Sequence, residues 1–87
     1  MTFSVYIIYS RSLDRFYIGM SADVYGRLTR HNSARQGFTS KGQPWEIVYT
    51  ESFSTKLEAL QREKQLKGWK NRERLVSLIS EYKKKHE

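Results

Sequence analysis

Hydrophobic and polar positions change their period several times along this chain, and each change marks a new element. Phe3, Val5, Ile7 and Tyr9 alternate with Ser4, Tyr6 and Ile8. Because both series are nearly all apolar or aromatic, the spacing predicts a strand covered on both faces and central in its sheet. Ser10-Arg11-Ser12-Leu13-Asp14-Arg15 is a polar turn, and Phe16-Tyr17-Ile18-Gly19-Met20 reads as the antiparallel return strand of a hairpin. Tyr6 and Tyr17 then lie on neighbouring strands and share a face if the register allows it. Beyond Ser21 and Asp23, both good capping types, Val24, Leu28 and His31 recur at i, i+4 and i+7 and predict a helix from about 23 to 33. Gly26 inside that helix costs about 1 kcal/mol relative to alanine, which signals either close approach of another backbone or a ligand, or plain tolerance.

The stretch from Asn32 to Pro44 is polar, basic and rich in glycine, a loop of the length that is functional or disordered, and it is expected to stay mobile until a partner binds. Trp45, Ile47 and Tyr49 alternate with Glu46, Val48 and Thr50 in a third strand reaching Phe53. Thr55-Lys56-Leu57-Glu58 has the form of a capping box, opening a helix that runs to about Lys67, with Gly68 as its stop. Asn71 caps a last helix whose stripe of Leu75, Leu78, Ile79 and Tyr82 packs on the sheet, and Lys83-Lys84-Lys85 sit where a helix end favours positive charge. There is no internal repeat or linker. The expected fold class is α+β, a three-stranded antiparallel sheet flanked by three helices. It forms one domain over residues 1–87, with a core of about 3–79 and a basic tail at 80–87.

Composition narrows the function classes. A chain of 87 residues buries only about 60–65% of its unfolded surface, so its apolar residues serve one core. The absence of cysteine excludes disulfides, thiolate zinc sites and cysteine nucleophiles, and makes a reducing cytoplasm the natural setting. No segment approaches the roughly 20 apolar residues of a membrane span, and the start of the chain lacks the pattern of a secretory signal. A soluble, cytoplasmic protein is expected. Sixteen Lys and Arg against nine Asp and Glu leave a formal charge of +7, which favours polyanionic partners. An anionic membrane surface fits less well than nucleic acid, because the helix with the lysine-rich end needs its apolar stripe for the core.

Against that background Glu63 stands out, with Ala59 and Leu60 one turn before it and Leu66 one turn after. A carboxylate on an apolar helix face needs a partner, a hydrogen bond or a metal. The plainer reading has it reach solvent or pair with Arg62 or Lys67. Arg27 and His31 are four apart on one helix, so their side chains share a face. Each alone fits a solvated arginine or a packed histidine, and two tyrosines on a sheet are ordinary strand formers.

Together, in this order, these residues resemble the GIY-YIG nuclease superfamily, and in particular small stand-alone bacterial proteins related to the nuclease domain of the excision-repair incision enzyme. Tyr17-Ile18-Gly19 matches the second signature, while Ser4-Val5-Tyr6 stands at the first, keeping its tyrosine and losing its glycine. The resemblance runs from about Phe3 to Ile79 and implies a small sheet with flanking helices that cleaves phosphodiester bonds using a single divalent ion, Mg2+ or Mn2+. It implies Tyr6 as general base, Tyr17 as its hydrogen-bonding partner and phosphate positioner, Arg27 as phosphate clamp, His31 as proton acceptor or orienter, and Glu63 as the metal ligand. Gly19 is expected to permit close backbone approach at the strand end. A tyrosine with its ordinary pKa near 10 serves as a base only where cations or a proton acceptor stabilise the phenolate.

Arg35 and Lys41 in the basic loop, with Lys67, are the expected contacts to a nucleic-acid backbone, DNA more than RNA. The chain has no evident module for choosing a site, so it binds with little sequence preference or depends on a partner protein. The expected function is a metal-dependent endonuclease in DNA repair or recombination. The alternative is a non-catalytic nucleic-acid-binding module on the same fold.

Overall fold

The computed structural model describes residues 2–86. Met1 and Glu87, the outermost residues of the expected domain and tail, lie outside the described residues. Strand β1 (Phe3–Ser10) pairs antiparallel with β2 (Arg15–Ser21) on one side and with β3 (Trp45–Phe53) on the other, giving the order β2-β1-β3. The near-continuous apolar run thus forms the central strand, and Val5, Ile7 and Ile8 are wholly buried. Each such aliphatic side chain contributes roughly 1.5–3 kcal/mol through burial.

The period of two along β1 assigns its side chains to two layers. Val5 and Ile7 join Ala59 and Leu66 of helix α2 (Lys56–Lys67) and Ile79 of helix α3 (Arg72–Lys85) on one face. Tyr6 and Ile8 join Trp45, Tyr17, Val24 and Leu28 on the other, beneath helix α1 (Val24–Ser33). Residues 80–85, expected in a basic tail, continue α3 as its last turns, with Lys83, Lys84 and Lys85 at its C-terminal end.

Strict alternation fails in β3. Ile7 pairs with Tyr49 but Ile8 pairs with Ile47, so Val48 is an extra residue in a β-bulge. Val48 and Tyr49 consequently both reach the α2/α3 layer, whereas Trp45 and Ile47 face α1. The single face expected for Trp45, Ile47 and Tyr49 is corrected by that one inserted residue.

The helix starts follow the side-chain chemistry. Asp23 Oδ1 accepts from the Gly26 N–H at 3.0 Å, Thr55 Oγ1 from the Glu58 N–H at 3.2 Å, and Asn71 Oδ1 from the Glu73 N–H at 2.9 Å. Gly26 is thereby explained: a β-carbon there would lie 2.9 Å from Cγ of the Asp23 cap, so the close neighbour is a capping carboxylate, neither another backbone nor a ligand.

The long connection from α1 to β3 contains a short 3-10 helix, Phe38–Lys41, and is anchored at both ends. Asn32 imitates a strand partner, its Nδ2 donating to the Trp45 carbonyl at 3.0 Å while its Oδ1 accepts from the Trp45 N–H at 2.6 Å. Gln43 Nε2 donates to the carbonyls of His31 and Ala34 at 2.9 and 2.8 Å, and the Trp45 indole donates to the Thr39 carbonyl at 2.8 Å. The segment expected to be mobile therefore leaves α1 and enters β3 through defined hydrogen bonds.

Candidate active site

The β1–β2 register places Tyr6 opposite Gly19 and Ile8 opposite Tyr17. The two tyrosines share a face as diagonal neighbours, two positions apart along the hairpin. The Tyr6 ring lies across the place where a side chain at position 19 would stand: a β-carbon on Gly19 would be 2.5 Å from Cζ of Tyr6 and closer still to its hydroxyl. Gly19 is required here by a phenol packed over the strand, rather than by the backbone approach anticipated from sequence.

Tyr6 is 2% exposed, and its hydroxyl lies 3.0 Å from Nε2 of His31 in α1. Burial, reinforced by Arg27 and Arg30 nearby, depresses the pKa of His31 below its ordinary value. The imidazole is therefore neutral at pH 7, and in the tautomer with its proton on Nδ1 its Nε2 accepts from the Tyr6 O–H. Burial pushes the Tyr6 phenol up to about 12, with Tyr17 and Glu63 adding to the rise and Arg27 opposing it. Arg27 from α1 and Glu63 from α2 thus both exert their charge on one phenolic oxygen.

Tyr17 takes a different place from the one expected. Among the described residues its hydroxyl makes no hydrogen bond to Tyr6, because the register sets it diagonally and His31 already occupies the Tyr6 oxygen. Instead its ring lies 4.9 Å from the imidazole of His31 and 6.3 Å from Phe38, nearly parallel to the latter at 25°. Phe38 in turn lies 5.9 Å from Trp45. These rings form an aromatic wall along one side of the histidine, and Phe38, half exposed, is its outer surface. Sequence reasoning missed Asn32, Phe38, Gln43 and Trp45 as supports of the site. An aromatic residue in an otherwise polar loop was the available signal for Phe38, whereas nothing local distinguished Asn32 or Gln43.

Glu63 occupies the Ala59–Leu66 side of α2 with its side chain 18% exposed. Leu60, expected on the same face, is 40% exposed, since α2 presents a narrower apolar stripe than its leucine spacing suggests. Of the two cations that could pair with Glu63, Lys67 does so, at 3.1 Å. Arg62 turns away to Glu51 at 2.9 Å and Gln65 at 2.7 Å. Arg35 and Lys41 are exposed on the anchored loop, whereas the exposed ammonium of Lys67 is engaged by Glu63.

Among the described residues no group of three His, Cys, Asp or Glu side chains could enclose a metal. One carboxylate beside open surface does suit an ion such as magnesium, which keeps several waters and completes its shell with phosphate oxygens. His31 is poorly placed to join it, because its Nε2 is committed to Tyr6. The donor set therefore fits Mg2+ or Mn2+ through Glu63 and does not fit an enclosed zinc site.

Comparison with known proteins identifies relatives of the whole chain. A UPF0213 protein of Staphylococcus saprophyticus is 38% identical over 66 residues, covering 75% of this chain and 79% of the relative. A UPF0213 protein of Staphylococcus epidermidis is 37% identical over 60 residues, covering 68% and 73%. The solution NMR structure of a UPF0213 protein from Bacillus halodurans superposes with a TM-score of 0.57 at 33% identity, covering 90% of this chain and 85% of that one. Residues 2–76 match the GIY-YIG catalytic domain, and with that match over most of its length the chain belongs to the GIY-YIG nuclease family.

Proposed function

We propose that this protein is a divalent-metal-dependent endonuclease that hydrolyses phosphodiester bonds of DNA in preference to RNA. The observation that carries this reading is the Tyr6 hydroxyl held 3.0 Å from a neutral His31 while Arg27 and Glu63 both act on the same oxygen. Arg27, exposed at the site, donates to the non-bridging oxygens of the scissile phosphate and offsets the charge that builds there. Glu63 is the protein ligand for Mg2+ or Mn2+, which when bound polarises the phosphoryl oxygen.

A free phenolate is a poor description of the base. Full transfer of the Tyr6 proton to His31 runs from a phenol pushed up to about 12 to an imidazole whose pKa is depressed by burial, a strongly uphill step. A relay avoids that intermediate. Water gives a proton to the Tyr6 oxygen as Tyr6 gives its own proton to Nε2 of His31, so phenol is regenerated and the charge ends on imidazolium. The water oxygen forms the new P–O bond while the bond to the leaving oxygen breaks, and that oxygen takes a proton from solvent. The Tyr17 ring packs against the imidazole at a tilt of 59° and holds it in place, and half-exposed Phe38 offers a flat apolar surface on which a base beside the reacting phosphate can stack. Arg35 and Lys41 extend the electrostatic track along the backbone. Selection of a particular site falls to a partner protein, consistent with a cytoplasmic role in repair or recombination.

Plasmid DNA incubated with the purified protein and Mg2+ or Mn2+ should be nicked, and nicking should fall steeply in Glu63→Ala and Tyr6→Phe. Equal nicking by either variant, or none by the natural chain, would sink the mechanism. The high pKa of Tyr6 favours one competitor, a nucleic-acid-binding module without turnover. Such a module keeps its affinity in EDTA with a steep salt slope and is indifferent to both substitutions.

A further inference from the structure

Glu63 carries a cation of its own. Its side chain is four-fifths enclosed, and the ammonium of Lys67, one turn along α2, lies 3.1 Å from Oε2. Arg62, the other cation within reach along the helix, is drawn to Glu51 and Gln65 on another side. The partner is movable, because the Lys67 side chain is 54% exposed, near the last turn of the helix, with four rotatable bonds leading to solvent.

Resting on the reading of Glu63 as the metal ligand, we propose that Lys67 is a resident counter-cation which the divalent ion must displace, and which is then free to bind a phosphate of the nucleic acid. Two considerations lead there. An ammonium hydrogen-bonded to Oε2 leaves the other carboxylate oxygen open, but a divalent ion on that carboxylate repels the ammonium at short range, so each weakens the other's hold. A lysine released beside a phosphate-binding surface is a point charge suited to backbone contact, whereas the same lysine paired to Glu63 is neutralised. Metal and nucleic acid thereby strengthen each other's binding, and the coupling is reciprocal.

The test reads metal binding without turnover, by the electron paramagnetic resonance of free Mn2+ titrated with the full chain in the absence of nucleic acid. Lys67→Gln should bind Mn2+ about two- to fivefold more tightly, the strength of a partly exposed pair. Lys64→Gln, which deletes the same charge one residue from Glu63, should stay close to the natural chain. Unchanged affinity in Lys67→Gln, or equal tightening in both lysine variants, overturns the proposal by leaving only general electrostatics. Glu63→Gln separates the two readings: if it binds Mn2+ as the natural chain does, Glu63 is not the ligand and the underlying function fails first. In a second arm a fluorescein-labelled DNA oligonucleotide is bound in a Tyr6→Phe background, which keeps the probe intact. Adding Mn2+ should raise its affinity about threefold less when Lys67→Gln is also present, and an equal gain with and without Lys67 also overturns the proposal.

Discussion

Replacing Gly19 with alanine puts one methyl group into the space filled by the Tyr6 ring. The new β-carbon would stand 2.5 Å from Cζ and 2.9 Å from Cε2 of Tyr6, inside any tolerable carbon–carbon contact. Tyr6 cannot retreat, because it is 2% exposed and its hydroxyl is bonded to His31. Overpacking of this kind costs about 1–3 kcal/mol, while removing a strand glycine returns about 0.5–1 kcal/mol, so a net loss of up to about 2.5 kcal/mol is expected. Urea unfolding followed by circular dichroism measures it. The attribution to Tyr6 is checked by a double-mutant cycle with Tyr6→Leu, whose side chain no longer reaches across position 19. In that background Gly19→Ala should cost close to nothing or stabilise slightly. An equal cost in both backgrounds would refute the reasoning, for the glycine would then serve the backbone and not the phenol. The same variant should also disturb the contact between Tyr6 and His31, visible as a changed titration of the His31 ring protons.

Four further predictions concern pH, the loop and the aromatic wall. Burial holds Tyr6 and Tyr49 near 12, against about 10 in the unfolded chain. Their stabilisation is therefore complete below pH 10 and lost as pH rises toward 12, by up to about 2.7 kcal/mol for each group. A urea midpoint flat across that alkaline window would contradict this. The opposite limb belongs to His31, whose folded pKa is depressed. The unfolded chain takes up its proton first, so stability falls as pH drops below about 6.5, and His31→Gln should flatten that fall. Asn32→Ala should cost about 2 kcal/mol by leaving both polar groups of the Trp45 backbone without their side-chain partner, and amide exchange should quicken from Ala34 to Gln43. Phe38→Ala should leave the melting temperature nearly unchanged, since the ring is half exposed, yet weaken nucleic-acid binding by about 1–3 kcal/mol in a fluorescence anisotropy titration. Unaltered affinity would remove Phe38 from the binding surface.

Much of the architecture was legible because period and capping agreed. The apolar run of β1 identified a central strand, and Asp23, Thr55 and Asn71 started their helices where side-chain acceptors predict. The bulge at Val48 was not legible, since an inserted residue in a run of strand formers leaves the local pattern intact and shows itself only through the partner strand. The site divided in the same way. Tyr6, His31, Arg27 and Glu63 were singled out as candidates by residue type and order, but the pairing of Glu63 with Lys67 instead of Arg62 depends on Glu51, twelve residues earlier on strand β3. Likewise Tyr17 was expected at the Tyr6 hydroxyl and meets His31 through its ring, a difference fixed by a register that the sequence left open. Choices between two plausible neighbours are settled by long-range geometry, and such choices account for the corrections.

The anchors around the α1–β3 connection have an evolutionary corollary. Asn32 and Gln43 fasten the two ends of this segment close to the histidine, while residues 35–38 between them are exposed. With the ends already held, each doubling of the intervening length adds only about 0.6 kcal/mol of closure entropy. Segments of new sequence can therefore be grafted between Ala34 and Gly37, ahead of the Phe38 and Thr39 contacts to Trp45, without shifting His31 or Trp45. The fold thus carries an insertion port at the rim of its candidate site, through which one frame can acquire different surfaces.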